Sequence, residues 1–212
     1  MKISRQLSGL CGIIAGIQFI VLTIIAMVIF PGGYIFWEHF FSNLGCIRAY
    51  EPGGITESRG LNDICRIIFI ITCTSAAIFI IPFILGLNSF FSESKLKKKL
   101  SNVGTLFAIL AAPNLSLLAI YPGDGLHGLR EAHVLTTQLF FIFYGISIMI
   151  FSAVFLIDKD YENFYGFIGV FIAVLLILYA FIFLYNAAFQ KITVYSTILW
   201  SVIQGIKLWN SA

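Results

Sequence analysis

Residues 64–87 read ICRIIFIITCTSAAIFIIPFILGL, an apolar run broken by a single charged side chain, Arg66. A helix rises 1.5 Å per residue and the hydrocarbon core of a bilayer is about 30 Å thick, so a run of this length makes one crossing. In lipid a helix needs no polar face, because its backbone groups satisfy one another. Working outward, runs of similar size at about 8–30, 103–121, 134–157 and 164–186 supply four more spanning segments. A sixth, about 193–209, is shorter and more polar. Its Lys207 can snorkel to a headgroup and Trp200 and Trp209 can anchor at an interface, so it too counts as spanning. The expectation is a single all-α domain over residues 1–212, a polytopic integral membrane protein with six transmembrane helices and an interfacial outer helix.

Composition supports that class: 59% of the side chains are hydrophobic and 11% charged, against roughly 45–50% and about 25% in soluble domains. No stretch is left over for a separate soluble domain. The first hydrophobic segment, after Lys2 and Arg5, is too long for a cleavable signal and reads as a retained helix. The net charge of +3 is dispersed except for KLKKK at 95–99, so nucleic acid is not an expected partner and the lipid bilayer is. That run reads as a topology signal or a contact to anionic lipid.

Basic residues are retained on the cytoplasmic side. Placing the N-terminus inside puts Lys2, Arg5, Lys95, Lys97, Lys98, Lys99, Lys159 and Lys207 there, against Arg48, Arg59, Arg66, Arg130 and Lys191 outside. The expected localisation is therefore the cell membrane, multi-pass, with both termini cytoplasmic. Every histidine, His39, His127 and His133, then falls on the extracytoplasmic side.

Two outer segments carry most of the polar chemistry. In GGYIFWEHFFSNLG, at 32–45, helical spacing puts Phe36, Trp37, Phe40, Phe41 and Leu44 on one face, with Glu38, His39, Ser42 and Asn43 on the other. That pattern predicts an interfacial helix at headgroup level. In YPGDGLHGLREAH, at 121–133, Asp124 is placed to cap the fourth helix, and His127 and Glu131 lie four apart along it. The histidines and carboxylates suit either zinc binding or general acid–base work, or else capping in a solvated loop. Asp63 and Arg66 are spaced to pair, or Arg66 could hold an anionic group. Pro82 and Pro113 should kink their helices, and Asn114 either lines a cavity or bonds a neighbouring helix. Cys46 and Cys65, both near the outer surface, are candidates for a disulfide. No metalloprotease HExxH, paired CxxC, P-loop or GxSxG motif is present.

HFFSNLG at 39–45, LNDICRIIF at 61–69 and AIYPGDGLHGLREAH at 119–133 together resemble the membrane proteins of domain-of-unknown-function family 998, and the wider FRAG/DRAM-like six-helix group. Ser42, Asn43, Leu44, Gly45, Arg66, Pro122, Asp124, His127 and His133 occupy the positions that carry this resemblance. It implies an integral membrane protein and no particular reaction. A more distant similarity to the alkaline ceramidase and progestin-receptor-like superfamily would imply a metal-dependent lipid amidase. The chain departs from that pattern: it lacks a seventh helix, and its fifth and sixth helices hold no histidine.

The expected function is thus an extracytoplasmic polar pocket that binds or modifies a lipid headgroup or similar amphiphile. As an enzyme it would be a hydrolase or transferase with Asp124, His127 and His133 as catalytic residues. Ser42, Asn43, Arg66 and Glu131 would bind substrate, and His39, His127 and His133 would hold a divalent metal such as zinc. The alternative is a non-enzymatic lipid-binding, scaffold or assembly protein, and a transporter ranks after both.

Overall fold

A computed structural model describes residues 4–52, 58–91, 94–126, 128–159 and 161–211. It contains six α-helices: α1 (Arg5–Val28), α2 (Asp63–Ser89), α3 (Lys95–Ile120), α4 (Leu129–Ile157), α5 (Asn163–Phe181) and α6 (Ala187–Asn210). The first five are long and apolar enough to cross a membrane, so the protein is an all-α polytopic membrane protein. α6 falls short by composition, because Gln190, Lys191, Gln204 and Lys207 interrupt it. Its 24 residues still reach roughly 36 Å, and it packs along α1.

Consecutive helices pack side by side from α1 to α5, and α1 against α6 closes the circle, with the α5–α6 seam the thinnest. The outer circumference is apolar: Ile17, Val21, Ile67, Ile71, Ile78, Phe167 and Phe171 are all exposed. In water such a surface would aggregate; facing lipid tails it costs nothing. Where α1 meets α6 the backbones touch. A Cβ on Gly9 would stand 2.5 Å from Gly205 O, and one on Gly205 would stand 2.7 Å from Gly9 O. Membrane helices gain by such approach, since between them packing takes over the role of the hydrophobic effect.

One end of the bundle carries the start of α1, the end of α2, the start of α3, the end of α4, the start of α5 and the end of α6. Ionic contacts tie these together: Lys97 Nζ to Asp158 Oδ2 at 2.8 Å, Lys207 Nζ to Glu162 Oε1 at 3.6 Å, and Arg5 over the Phe90 ring at 4.7 Å. KLKKK, expected before the third helix, is instead its first turns, so α3 starts eight residues earlier than the hydropathy pattern placed it. Lysine is a good helix former and its stem can cover apolar surface, so charge ends the apolar window before it ends the helix. Pro82 and Pro113 lie inside α2 and α3. Asn114 lines neither of the two cavities described below, and its amide donates to Leu110 O of its own helix at 2.8 Å.

At the opposite end, called the hairpin end below, the interfacial helix is not formed. Residues 34–40 are irregular around a turn at 36–38, a short 3-10 helix covers Phe41–Gly45, and an antiparallel hairpin follows, β1 (Arg48–Tyr50) with β2 (Ser58–Leu61). The proposed polar face does not exist either: His39 is 1% exposed while Trp37 is among the exposed apolar residues. Tertiary hydrogen bonds override the periodicity. Phe41 N–H donates to Gln190 Oε1 at 2.7 Å, and Asn62 Nδ2 donates to the carbonyls of Asn43, Leu44 and Cys46 at 3.1–3.2 Å. These long-range partners pull the segment into the mouth of the bundle.

Candidate functional site

Two neighbouring cavities share lining residues at the hairpin end. The inner one, about 90 Å³, is an apolar chamber between α1, α2, α3, α4 and α6. Phe69, Cys73, Ala76 and Ile80 line it from α2, and Gln190, Val194, Thr197 and Ser201 from α6. Each set follows the three-four spacing of one helix face over eleven residues, roughly 16 Å of depth. So small a volume drawn out over that depth makes a narrow slot. Tyr144 lines its inner end, and behind it Trp200 packs edge-on against Phe83 and Tyr144, with ring centroids 5.9 and 6.5 Å apart, so that this aromatic group forms the floor.

The outer cavity, about 340 Å³, is a vestibule bordered by Glu38, Asn43, Cys46, Glu51, Arg130 and His133, with Tyr179, Leu184 and Tyr185 at the α5–α6 turn. Ser42, Thr137 and Gln190 line both cavities. They form a polar girdle between a charged mouth and an apolar interior. Gln190 is held at both ends: Oε1 accepts from Phe41 N–H, and Nε2 donates to the Tyr179 hydroxyl at 2.9 Å.

Of the residues expected to form the site, Ser42, Asn43 and His133 do converge on the vestibule. Arg66 lines neither cavity. It makes no ion pair with Asp63 among the described residues, and its Nε is buried without a partner. His127 lies outside the described residues. Asp124 does not cap α4; its two carboxylate oxygens accept from Ile47 N–H at 2.8 Å and Arg48 N–H at 2.9 Å, fastening the hairpin to the 121–128 link. The cap belongs to Glu131, whose Oε2 accepts from Gly128 N–H at 2.6 Å. Gly128 has a φ of 89°, a left-handed conformation that a side chain would strain. Glu131 thus serves the helix start and does not border the vestibule.

The metal set is not assembled. Ile35 N–H donates to His39 Nδ1 at 2.9 Å, so the ring proton sits on Nε2, which donates to Tyr50 O at 3.0 Å. No lone pair is left for a metal. His133 Nδ1 lies 2.7 Å from Leu118 O and 2.9 Å from Tyr121 O, carries the proton and donates to them. Its Nε2 lone pair is the one left over, beside Gly123, where a Cβ would stand 3.7 Å from Nε2 and 3.8 Å from Cys46 Sγ. Among the described residues no group of three His, Cys, Asp or Glu side chains could hold a metal ion.

Cys46, His133 and Asp124 lie near one another without forming a relay. Asp124 is turned to the hairpin amides and His133 Nδ1 to two carbonyls, so no carboxylate orients the imidazole. Burial and the adjacent Asp124 carboxylate push the Cys46 thiol up to about 12, the reverse of what a nucleophilic thiolate needs. The disulfide is not formed. All four cysteines are free, with the Cys46 thiol donating to Ser42 O and the Cys65 thiol to Ala26 O.

Sequence reasoning missed the contribution of α6. Lys191, counted among the basic residues of the outer side, is 0% exposed. Its ammonium donates to the Tyr34 hydroxyl at 2.8 Å and His39 O at 2.5 Å, and stands 4.3 Å from the Phe41 ring centroid. Burial pushes the Tyr34 hydroxyl above its ordinary value, so the partner of Lys191 is a neutral phenol. Gln190 and Lys191 were the available signal: adjacent polar residues just ahead of a segment read as spanning from about 193 need internal partners if the helix begins earlier, as α6 does.

No protein-family model, curated protein or solved structure matches the chain.

Proposed function

We propose that the protein binds an amphiphile at the extracytoplasmic face of the cell membrane, headgroup in the vestibule and aliphatic part in the chamber. The observation that carries this reading is that a polar vestibule adjoins an apolar chamber, the two sharing Ser42, Thr137 and Gln190 in their linings. Ligand sites are commonly mostly apolar with a few placed polar groups, and here the two characters are separated end to end, as they are in an amphiphile. Arg5, Lys95, Lys97, Lys98, Lys99, Lys159 and Lys207 all lie toward the end holding the termini, which supports a cytoplasmic placement of that end. The resemblance to family 998 agrees with an integral membrane protein and assigns no reaction.

Binding is favoured over catalysis by the engaged histidine at position 39, the protonated thiol of Cys46 and the commitment of Asp124 to backbone amides. A floor of three aromatic rings beneath the chamber favours a binding site over a transport path. The test is saturable binding of a fluorescent single-chain amphiphile to the purified protein in nanodiscs. Ala76 lines the chamber and is buried, so Ala76→Leu should fill the slot and weaken binding at least tenfold while the thermal midpoint stays near that of the parent. Equal binding by parent and variant would remove the proposal.

A further inference from the structure

His133 is 8% exposed and still borders the vestibule. Its Nδ1–H is turned away to the carbonyls of Leu118 and Tyr121, so the edge it offers the cavity is the one carrying Nε2. That nitrogen has no partner, yet it is not among the described polar atoms that the fold shuts off from solvent. The Cys46 thiol, which also flanks Gly123, does not serve it, because it donates to Ser42 O. In this tautomer Nε2 can only accept. A ligand that fills the vestibule must bring it a donor or leave it unpaired, at a cost.

Two charges on the same cavity define what carries that donor. Arg130 stands three residues before His133 on α4, on the same face of the helix. Among the described residues neither Arg130 nor Glu38 makes an ion pair, whereas the other carboxylate of the vestibule, Glu51, is paired with Arg59. A cation and an anion thus face one space, and together they match a zwitterion: a phosphate for Arg130, an amine for Glu38. A quaternary amine answers the charge but has no hydrogen for Nε2. A primary ammonium has three.

Building on the amphiphile reading, we infer that the headgroup held in the vestibule is phosphoethanolamine, its phosphate on Arg130 and its ammonium donating to His133 Nε2 while facing the Glu38 carboxylate. Phosphate and ammonium in this headgroup are two carbons apart, a spacing suited to side chains that neighbour one another along a helix, as Arg130 and His133 do. Phosphocholine meets the same two charges and leaves Nε2 unpaired, so His133 makes the vestibule selective between them.

The experiment compares two probes on the protein in phosphatidylcholine nanodiscs: 1-palmitoyl-lysophosphatidylethanolamine and 1-palmitoyl-lysophosphatidylcholine, which share chain and phosphate and differ in the ammonium hydrogens. The ethanolamine probe should bind about tenfold more tightly, the worth of one hydrogen bond to a charged group. His133→Asn keeps an amide N–H where Nδ1 stands and removes Nε2; it should erase the preference and leave choline-probe affinity unchanged. Gly123→Ala leaves the imidazole and its carbonyl partners alone and sets a methyl 3.7 Å from Nε2, crowding the ammonium, and should shrink the preference as well. Equal affinity of the parent for both probes, or a preference that survives in either variant, overturns the inference and leaves amphiphile binding standing. Glycerophosphoethanolamine, the same headgroup without a chain, should compete only at concentrations about a hundredfold higher, since it buries no hydrocarbon. Competition at equal concentration would make the ligand a soluble phosphodiester and overturn the amphiphile reading alone. Failure of both lysolipids to bind saturably overturns that reading and this inference with it.

Discussion

Asp124 shows how one residue can be found for one reason and used for another. Aspartate before a helix reads as a cap, because its oxygens suit free amides; the amides it takes are free, but they belong to Ile47 and Arg48, more than seventy positions away in the chain. A cap and a cross-link satisfy the same hydrogen-bonding demand, and sequence spacing reports only the nearer candidate. His39 and Lys191 were misplaced for a related reason. Polarity suggested exposure, whereas each is buried with every needed partner at hand. Asp124→Ala should therefore leave α4 intact and loosen the hairpin, at a cost of about 1–2 kcal/mol, since water can reach these amides. Trypsin cleavage after Arg48 and Arg59 should accelerate relative to the parent, with the thermal midpoint falling by a few degrees. Asp124→Asn, which keeps one acceptor, should fall between the two. Unchanged cleavage in the alanine variant would contradict the role assigned to this carboxylate.

At the level of elements, the apolar helices were legible because the bilayer imposes a length that composition alone reveals: α2 and α4 contain the segments at 64–87 and 134–157. Their extra turns, and the early start of α3 at Lys95, were not legible, because charged residues outside the hydrocarbon can still be helical. Residues 34–45 were misread since aromatic and polar residues alternate there in a way that fits an amphipathic helix; the outcome was set by Gln190 and Asn62, whose side chains choose among backbone conformations that local pattern leaves open. The α1–α6 contact depends on two glycines facing each other. Gly205→Val must push the helices apart, at a cost of about 1–3 kcal/mol for overpacking, and should lower the thermal midpoint in detergent. Gly9→Ala should do so to a smaller degree. A midpoint unaffected by Gly205→Val would show that these helices do not meet as described.

Taken whole, the molecule is a ring of helices with an apolar outer surface, a lysine-rich end and, at the opposite end, a polar vestibule. Of the residues singled out in the sequence, Ser42, Asn43 and His133 border that mouth. The other wall, Thr137, Tyr179 and Gln190, belongs to α4, α5 and α6, and only the closing of the ring brings it opposite. The aromatic floor at Trp200, Phe83 and Tyr144 turns depth into a ruler. With a headgroup held in the vestibule, each methylene added to a bound chain gains contact until the tail reaches this floor, and none thereafter. Across a homologous series of lysophosphatidylcholines, affinity should rise about fourfold per methylene and then stop rising at one chain length. Trp200→Phe, which lowers the floor, should move that break to a longer chain; an affinity that climbs steadily through the series would mean the slot has no bottom.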